Sequence, residues 1–247
     1  MKKALITGAS TGLGLEFAHQ LRKQNWDVFG VARSEDKLKT LFDDEHYLVA
    51  DLTLSSDVEK VVTWINTHSF DLLINNAGFG SYSLFSDSTI NSSIQMMHLN
   101  MDALVSLSYA YLKTAKTGDS LINVSSALSL LPIPGAAIYS ATKSFVTAFT
   151  ECLWYEYKQK GIYVFASLPG PVATPFHQVA GGSTAAMDPR MVLTPEAVVA
   201  EALKTLNKRS NPSVVHGFSF KIFTKLGQLM SRKLRLSTMA KNGPVTV

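Results

Sequence analysis

At 247 residues the chain fits one large α/β domain better than two small ones. Apolar residues make up 46% and charged residues 17%, which excludes a disordered chain, while a net charge of +4 is too mild to mark a nucleic-acid partner. The single Cys152 excludes an internal disulfide and suits a reducing compartment. No secretory n-region and h-region open the chain, so the expected address is cytoplasmic.

Ala4-Leu5-Ile6 reads as a short strand, followed at once by Thr7-Gly8-Ala9-Ser10-Thr11-Gly12-Leu13-Gly14 and then by apolar residues at helical spacing. In that context Gly8 permits a tight turn, Gly12 lets the backbone approach a ligand, and Gly14 lets helix and strand pack. The helix N-terminus then presents free N–H groups to an anion. A second strand, Val28 to Ala32, ends in Arg33. Dinucleotide-binding folds place an acidic residue about here to accept the ribose hydroxyls of NAD. Arg33 is instead able to pair a 2′-phosphate, which points to NADP.

His46 to Ala50 forms a third strand, closed by Asp51-Leu52, and Ser56-Asp57-Val58-Glu59 has capping-box spacing ahead of a helix. Asp71 to Ile74 forms a fourth, ending in Asn75-Asn76-Ala77-Gly78, where adjacent Asn side chains can hold neighbouring loops. One long helical stretch is predicted over 88–113, with polar Asn100 on an otherwise apolar run. Asn100 reads either as a satisfied core amide or as the holder of an ordered water.

Leu121 to Val124 is a fifth strand, ending in Ser125 and Ser126. No charge separates Asp119 from Lys143, and Tyr139 stands four residues before Lys143, one helical turn away. A phenol with a pKa near 10 is a poor acid or base at neutral pH, and an ammonium beside it favours the phenolate. The helix continues to about Lys160, Tyr163 to Leu168 forms a sixth strand, and Pro169-Gly170-Pro171-Val172-Ala173-Thr174 is a stiff turn. Residues 175–192 read as a mobile lid, Thr194-Pro195 caps a helix to about Lys208, and Val214-Val215 forms a last short strand. This alternation predicts a single-domain, Rossmann-type doubly wound parallel sheet with helices on both faces. Its core spans 1–216, with 217–247 as a basic amphipathic extension of the same domain. The Gly-rich loop, Arg33, Asp51, Asn75, Ser126 and Pro169 all follow strands, so they converge on one cleft.

Taken together, T-G-x-x-x-G-x-G, N-N-A-G, a Ser thirteen positions before Y-x-x-x-K, and P-G-x-V-x-T, in this order, resemble the short-chain dehydrogenase/reductase family over the first 216 positions. The resemblance implies an NADP(H)-dependent oxidoreductase, with NADP(H) preferred over NAD(H), that interconverts a small-molecule carbonyl and an alcohol. It implies that Ser126 polarises the carbonyl, with Ser125 the neighbouring hydroxyl. Tyr139 is then the general acid, Lys143 lowers its pKa and holds the nicotinamide ribose, and Asn100 anchors a relay water. Gly8, Gly12 and Leu13 would line the pyrophosphate, Asp51 and Leu52 the adenine, Asn75 and Ala77 the ribose, and Val172 with Thr174 the carboxamide. Ser10, Thr11, Gly14, Gly78, Pro169 and Gly170 complete the implied cofactor set, and no metal is implied. Many NADP-preferring members carry a base where this chain has Thr11, so the NADP preference rests on Arg33 alone. The rival reading is a non-catalytic nucleotide sensor on the same fold.

Ser81, Tyr82, Leu84, Leu131, Phe176, His177 and Met187 are placed to form an apolar substrate pocket. The helices over 88–113 and 139–160 carry more apolar positions than one buried face needs, and the family commonly dimerises there, so a homodimer or homotetramer is expected. In the tail, Phe218, Ile222, Leu226, Leu229, Met230 and Leu234 recur at spacings of three and four beside Lys221, Lys225, Arg232 and Arg235. This predicts an amphipathic helix over 218–236. It is read as docked over the pocket or a neighbouring subunit, as resting weakly on anionic lipid, or as a frayed end. The tail resembles those of family members that reduce long-chain oxoacyl groups or other bulky lipophilic carbonyls.

Overall fold

Aliphatic runs bounded by Gly, Pro, Asn and Asp form strands, and the helical stretches between them force those strands to lie parallel. The computed structural model describes residues 1–182, 191–241, 243 and 245. Among these, seven parallel strands form one sheet: β1 (Lys3–Thr7), β2 (Asp27–Ala32), β3 (Tyr47–Val49), β4 (Leu72–Asn75), β5 (Ser120–Val124), β6 (Tyr163–Leu168) and β7 (Ser213–Val215). Their order across the sheet is 3-2-1-4-5-6-7. The order of winding reverses between β1 and β4, which pair in parallel from Ala4 with Leu72 to Ile6 with Ile74, so a crevice opens beyond their carboxyl ends.

Both faces of the sheet are covered, and β4, β5 and β6 are accordingly buried at every position. On one face α1 (Gly12–Lys23) and α8 (Pro195–Lys208) pack Phe17, Leu21, Val199 and Leu203 against Phe165 and Ile122, while α2 (Glu35–Leu41) adds Leu38. On the other, α3 (Ser55–Thr67) and α5 (Leu104–Thr114) contribute Val61, Ile65, Leu107 and Tyr111. The long α6 (Ala137–Lys158) runs beside β6 and carries buried polar residues in its first turns. Thr194 caps α8 as the sequence predicts, its hydroxyl accepting from Ala197 N, with Pro195 in the first turn.

Three local expectations change. The capping box at Ser56 does not form, because α3 already begins at Ser55; Asp57 instead accepts the backbone N–H of Asp51 at 2.8 Å and holds the β3 exit. The helix predicted over 88–113 is α4 (Ile90–Met97) and α5, joined by a π-helical turn over His98–Ala103. The tail forms two helices, α9 (Phe218–Leu229) and α10 (Arg232–Lys241). The recurring stripe of Phe218, Ile222, Leu226 and Leu229 faces outward, and Phe220, Thr224 and Gly227 make the buried face. Phe220 lies against Gly170, and Gly227 leaves room for Leu131, which would stand 2.5 Å from any Cβ placed there. The described part of the expected lid contains the short α7 (Phe176–Val179); Met187 lies outside the described residues.

Glu201 on α8 fastens the start of α9. Its carboxylate accepts from His216 Nδ1 at 3.3 Å and from Gly217 N at 3.1 Å, and it pairs with Lys221. These partners, His216 foremost, hold its pKa at about 2 rather than the usual 4.5. A depressed carboxylate contributes stability above its unfolded pKa and loses it as pH falls through the folded one, here between 4.5 and about 2. Glu201→Gln is expected to raise the rate of tryptic cleavage at Lys221 and Lys225 about tenfold or more at pH 7, from loss of charge-assisted bonds. Unchanged cleavage would contradict the clamp.

Candidate active site

β1 runs into a turn in which Gly8 and Gly12 have φ of +67° and +55°, the left-handed region that favours glycine. Gly14 has no room for a side chain, since a Cβ would stand 2.2 Å from Gly8 O. α1 begins at Gly12 with no side-chain cap bond from Thr11 and no acidic residue in its first turn. Its leading N–H groups are therefore left to an anion. Thr7 Oγ1 accepts from the backbone N–H groups of Asn76 and Ala77, each at 3.0 Å, and Asn76 Nδ2 donates to Thr7 O and Gly8 O. The β4 exit thus braces the glycine turn.

A cleft of about 1090 Å³ opens at this edge. Gly8, Ser10, Thr11, Gly12 and Leu13 line one wall; Arg33, Asp51, Leu52, Ala77 and Gly78 continue it; Pro169, Gly170, Val172 and Thr174 stand opposite. Two members of the expected set stand behind the surface. Gly14 serves helix packing, and Asn75 turns inward, donating to Ser108 Oγ at 3.0 Å and Asn123 Oδ1 at 2.9 Å. The asparagine that lines the cleft is Asn76. Lys37 also lines it beside Arg33, a second cation that the sequence reading missed although it stands four residues on, one turn into α2. A left-handed glycine turn and an uncapped helix start fit a dinucleotide, with two cations beside them at the β2 exit.

The reactive side chains sit where β5 meets α6. Tyr139 and Lys143 are both buried, with Lys143 Nζ 5.8 Å from the Tyr139 ring centroid. Lys143 donates to Val124 O at 2.9 Å, which leaves two of its three donors free. Ser125 is consumed by structure, donating to Lys143 O and meeting Thr147 Oγ1 at 2.7 Å. Ser126 lines the cleft together with Tyr139, and its Oγ accepts from Leu128 N at 3.1 Å. Burial drives Tyr139 well above the usual phenol value, with neighbouring Tyr82 adding to the rise and Ser126 opposing it. Burial likewise lowers Lys143 from 10.5 to about 8. At neutral pH this phenol is therefore protonated.

Asn100 occupies the π-helical turn and is buried behind the cleft. Its Nδ2 donates to Phe79 O at 3.0 Å and to Thr142 Oγ1 at 3.1 Å, while Oδ1 accepts from Phe79 N at 3.2 Å. A π turn re-aims one side chain without breaking the helix, and here it brings Asn100 Oδ1 to the same side of Gly78 as Lys143 Nζ. Thr142, one residue before Lys143, is a tie that no sequence motif marks.

Sheet order, glycine turn and the buried Tyr-Lys pair define a nicotinamide-dinucleotide-binding oxidoreductase. The sequence profile of the short chain dehydrogenase family matches residues 2–182, and the chain belongs to that family. It is 31% identical over 229 residues to a very-long-chain 3-oxoacyl-CoA reductase of Macaca fascicularis, covering 86% of this chain and 72% of that protein. It is 28% identical to mouse 17-beta-hydroxysteroid dehydrogenase type 3, over 81% of this chain and 68% of that one. A short-chain dehydrogenase from Sphingobium yanoikuyae in complex with NADPH superposes with a TM-score of 0.80 at 29% identity, covering 87% of both chains. These comparisons overturn the cytoplasmic address expected from the sequence. Several relatives are reductases of very-long-chain oxoacyl-CoA, whose acyl chains partition into membranes. Among the described residues no helix is long and apolar enough to cross a membrane.

The depressed lysine has a measurable sign. A base whose folded pKa lies below its unfolded value costs stability in full below the folded pKa, and the cost fades as pH rises to the unfolded one. For Lys143 that window runs from about 8 to 10.5. The melting temperature of Lys143→Met minus that of wild type, both without cofactor, is expected to fall as pH rises from 8 to 10. The scale is roughly 2–4 °C per kcal/mol in a chain of this size. A difference constant across that range would contradict a buried, charged Lys143 at neutral pH.

Proposed function

We propose that the protein is an NADP(H)-dependent reductase of lipophilic carbonyl compounds, with long-chain 3-oxoacyl thioesters as the substrate class. The observation that carries this reading is the cleft's two-part character. A glycine turn and cations at one end continue, past Ser126 and Tyr139, into a chamber walled by Leu131, Ile133, Phe176, Phe220, Phe223 and Met239. The names of the relatives support the same class. NADPH, when bound, supplies the hydride that reduces the carbonyl carbon.

Ser126 Oγ donates a hydrogen bond to the substrate oxygen, and Tyr139 Oη passes its proton to that oxygen as negative charge develops there. Lys143 stabilises the resulting phenolate and holds a ribose hydroxyl with a free N–H. The second lone pair of Asn100 Oδ1 remains open to a water that returns the proton. Arg33 and Lys37 face the 2′-phosphate, and Ala32 stands where an acidic residue would have repelled it.

Two features extend the reading. α9 and α10 hold no acidic residue, and α9 leaves Phe218, Leu226 and Leu229 at 78%, 60% and 84% exposure beside Lys225. This face meets an anionic membrane surface from which lipophilic substrate enters, since each basic residue there adds about 1 kcal/mol at most. Exposed Tyr109, Phe145 and Tyr155 on α5 and α6 form the contact of a homodimer or homotetramer.

Tyr139→Phe is expected to bind NADPH normally but lose about 10²- to 10⁴-fold in kcat; retention of a tenth of wild-type kcat would contradict the role. Arg33→Ala should cut the NADPH-over-NADH ratio of kcat/KM by about tenfold or more, and an unchanged ratio would remove the phosphate contact. Anionic vesicles should co-sediment the protein at low salt and release it at high salt; no binding at low salt rules the membrane surface out. Light scattering should give a multiple of the 26.9 kDa chain mass, and a monomer would end the assembly claim.

A further inference from the structure

Beyond Tyr139, among the described residues, the chamber is apolar apart from three polar side chains. Thr224 uses its hydroxyl proton on Phe220 O at 2.8 Å. The other two, Tyr82 and His177, are paired: their rings stack at 5.9 Å with 15° between planes, and Tyr82 Oη lies 3.0 Å from His177 Nδ1. Two loops hold the pair in place. Tyr82 N donates to Ala180 O at 2.8 Å, Gly182 N donates to His177 O at 2.8 Å, and Gly182 lies flat against the Tyr82 ring, where a Cβ would come within 2.6 Å.

The pair is also built against the reactive phenol. Phe176 packs on Tyr139 at 5.6 Å between ring centroids and meets the adjoining His177 edge-on. Gly80, two residues before Tyr82, abuts the rings of both Phe176 and Tyr139. Burial pushes His177 below its usual value and lifts Tyr82 to about 12, so both rings are neutral at pH 7. The bond between them then uses one of two protons. If Tyr82 donates to Nδ1, the Nε2–H of His177 is free; if Nδ1–H donates to Tyr82, the phenol proton is free. Either tautomer leaves one neutral donor in a chamber whose other described side chains, Thr224 apart, are apolar.

We infer that Tyr82 and His177 form a specificity element that donates one hydrogen bond to a second, neutral oxygen of the substrate, beyond the carbonyl that is reduced. This rests on the reductase reading above and deepens it. Such an oxygen is carried by the thioester of a 3-oxoacyl chain or by the far ketone of a diketosteroid, and is lacking in a plain ketone. A buried donor favours substrates that satisfy it and penalises those that leave it unpaired.

The test compares kcat/KM with NADPH for a 3-oxoacyl thioester against a methyl ketone of equal chain length, and for a 3,17-diketosteroid against a 17-monoketosteroid. Wild type, Tyr82→Phe and His177→Leu are measured. One of the two variants is expected to lower kcat/KM for one dioxygenated substrate by about tenfold, chiefly through KM, and to leave its mono-oxygenated partner within about twofold. Tyr82→Phe does so where the phenol proton is the free donor, and His177→Leu where Nε2–H is. The pair that responds identifies the oxygen as thioester or steroid. Equal losses within each pair, or no loss in any, overturn the inference while leaving the reductase reading intact. Wild-type protein that reduces none of the four overturns both.

Discussion

A lysine ammonium buried at the end of β5, with one backbone carbonyl for a partner, is the constraint around which this molecule is arranged. The fold gives Lys143 the carbonyl Val124 O and places the residue on the wall of the cleft. Holding it there requires β5 to end beside the second turn of α6. Ser125 pins that junction by bonding the Lys143 carbonyl and Thr147. The cost appears as a pKa of about 8, and the proposed proton transfer from Tyr139 gives that cost a use, since a nearby cation favours a phenolate.

The same logic explains the polar network behind the site. Asn75, Asn123, Ser108 and Thr150 link β4 and β5 to α5 and α6 through buried hydrogen bonds. Asn100 and Thr142 tie the segment after β4 to α6. Apolar packing alone would let these helices slide by fractions of an ångström; directional bonds fix the register that Tyr139 and Ser126 need. On the far side, α9 closes the chamber by laying Phe220 on Gly170, and its clamp on Glu201 joins chamber wall to sheet edge.

Much of this was legible in the sequence for physical reasons. Strand-turn-helix punctuation located the glycine turn, because glycine takes the left-handed φ values found at Gly8 and Gly12 at least cost. An uncharged run ending at Lys143 marked the buried cation. Other features depend on three-dimensional facts that spacing does not carry. Which of Asn75 and Asn76 faces the cleft is set by the register of β4 on β5, where Asn75 pairs with Asn123. The π turn that re-aims Asn100 leaves the apolar pattern of α4 and α5 unbroken. The tail's stripe marks an amphipathic helix but not which face is covered, since burial follows from what stands opposite, and Leu131 and Gly170 stand opposite Gly227 and Phe220. The first motif of the family located the phosphate end, whereas Lys37 enters it only because α2 folds back over β2.

Reduction of a carbonyl in this cleft by hydride transfer from NADPH, with proton delivery by the protein, can be tested directly. The direct measurement is mass spectrometry of the product formed from a long-chain 3-oxoacyl thioester with NADPH deuterated at both C4 positions. The account predicts one deuterium on the carbon that bears the new hydroxyl, and a hydroxyl proton drawn from solvent. Turnover that leaves no deuterium on that carbon, or no reduction of the thioester at all, would contradict it.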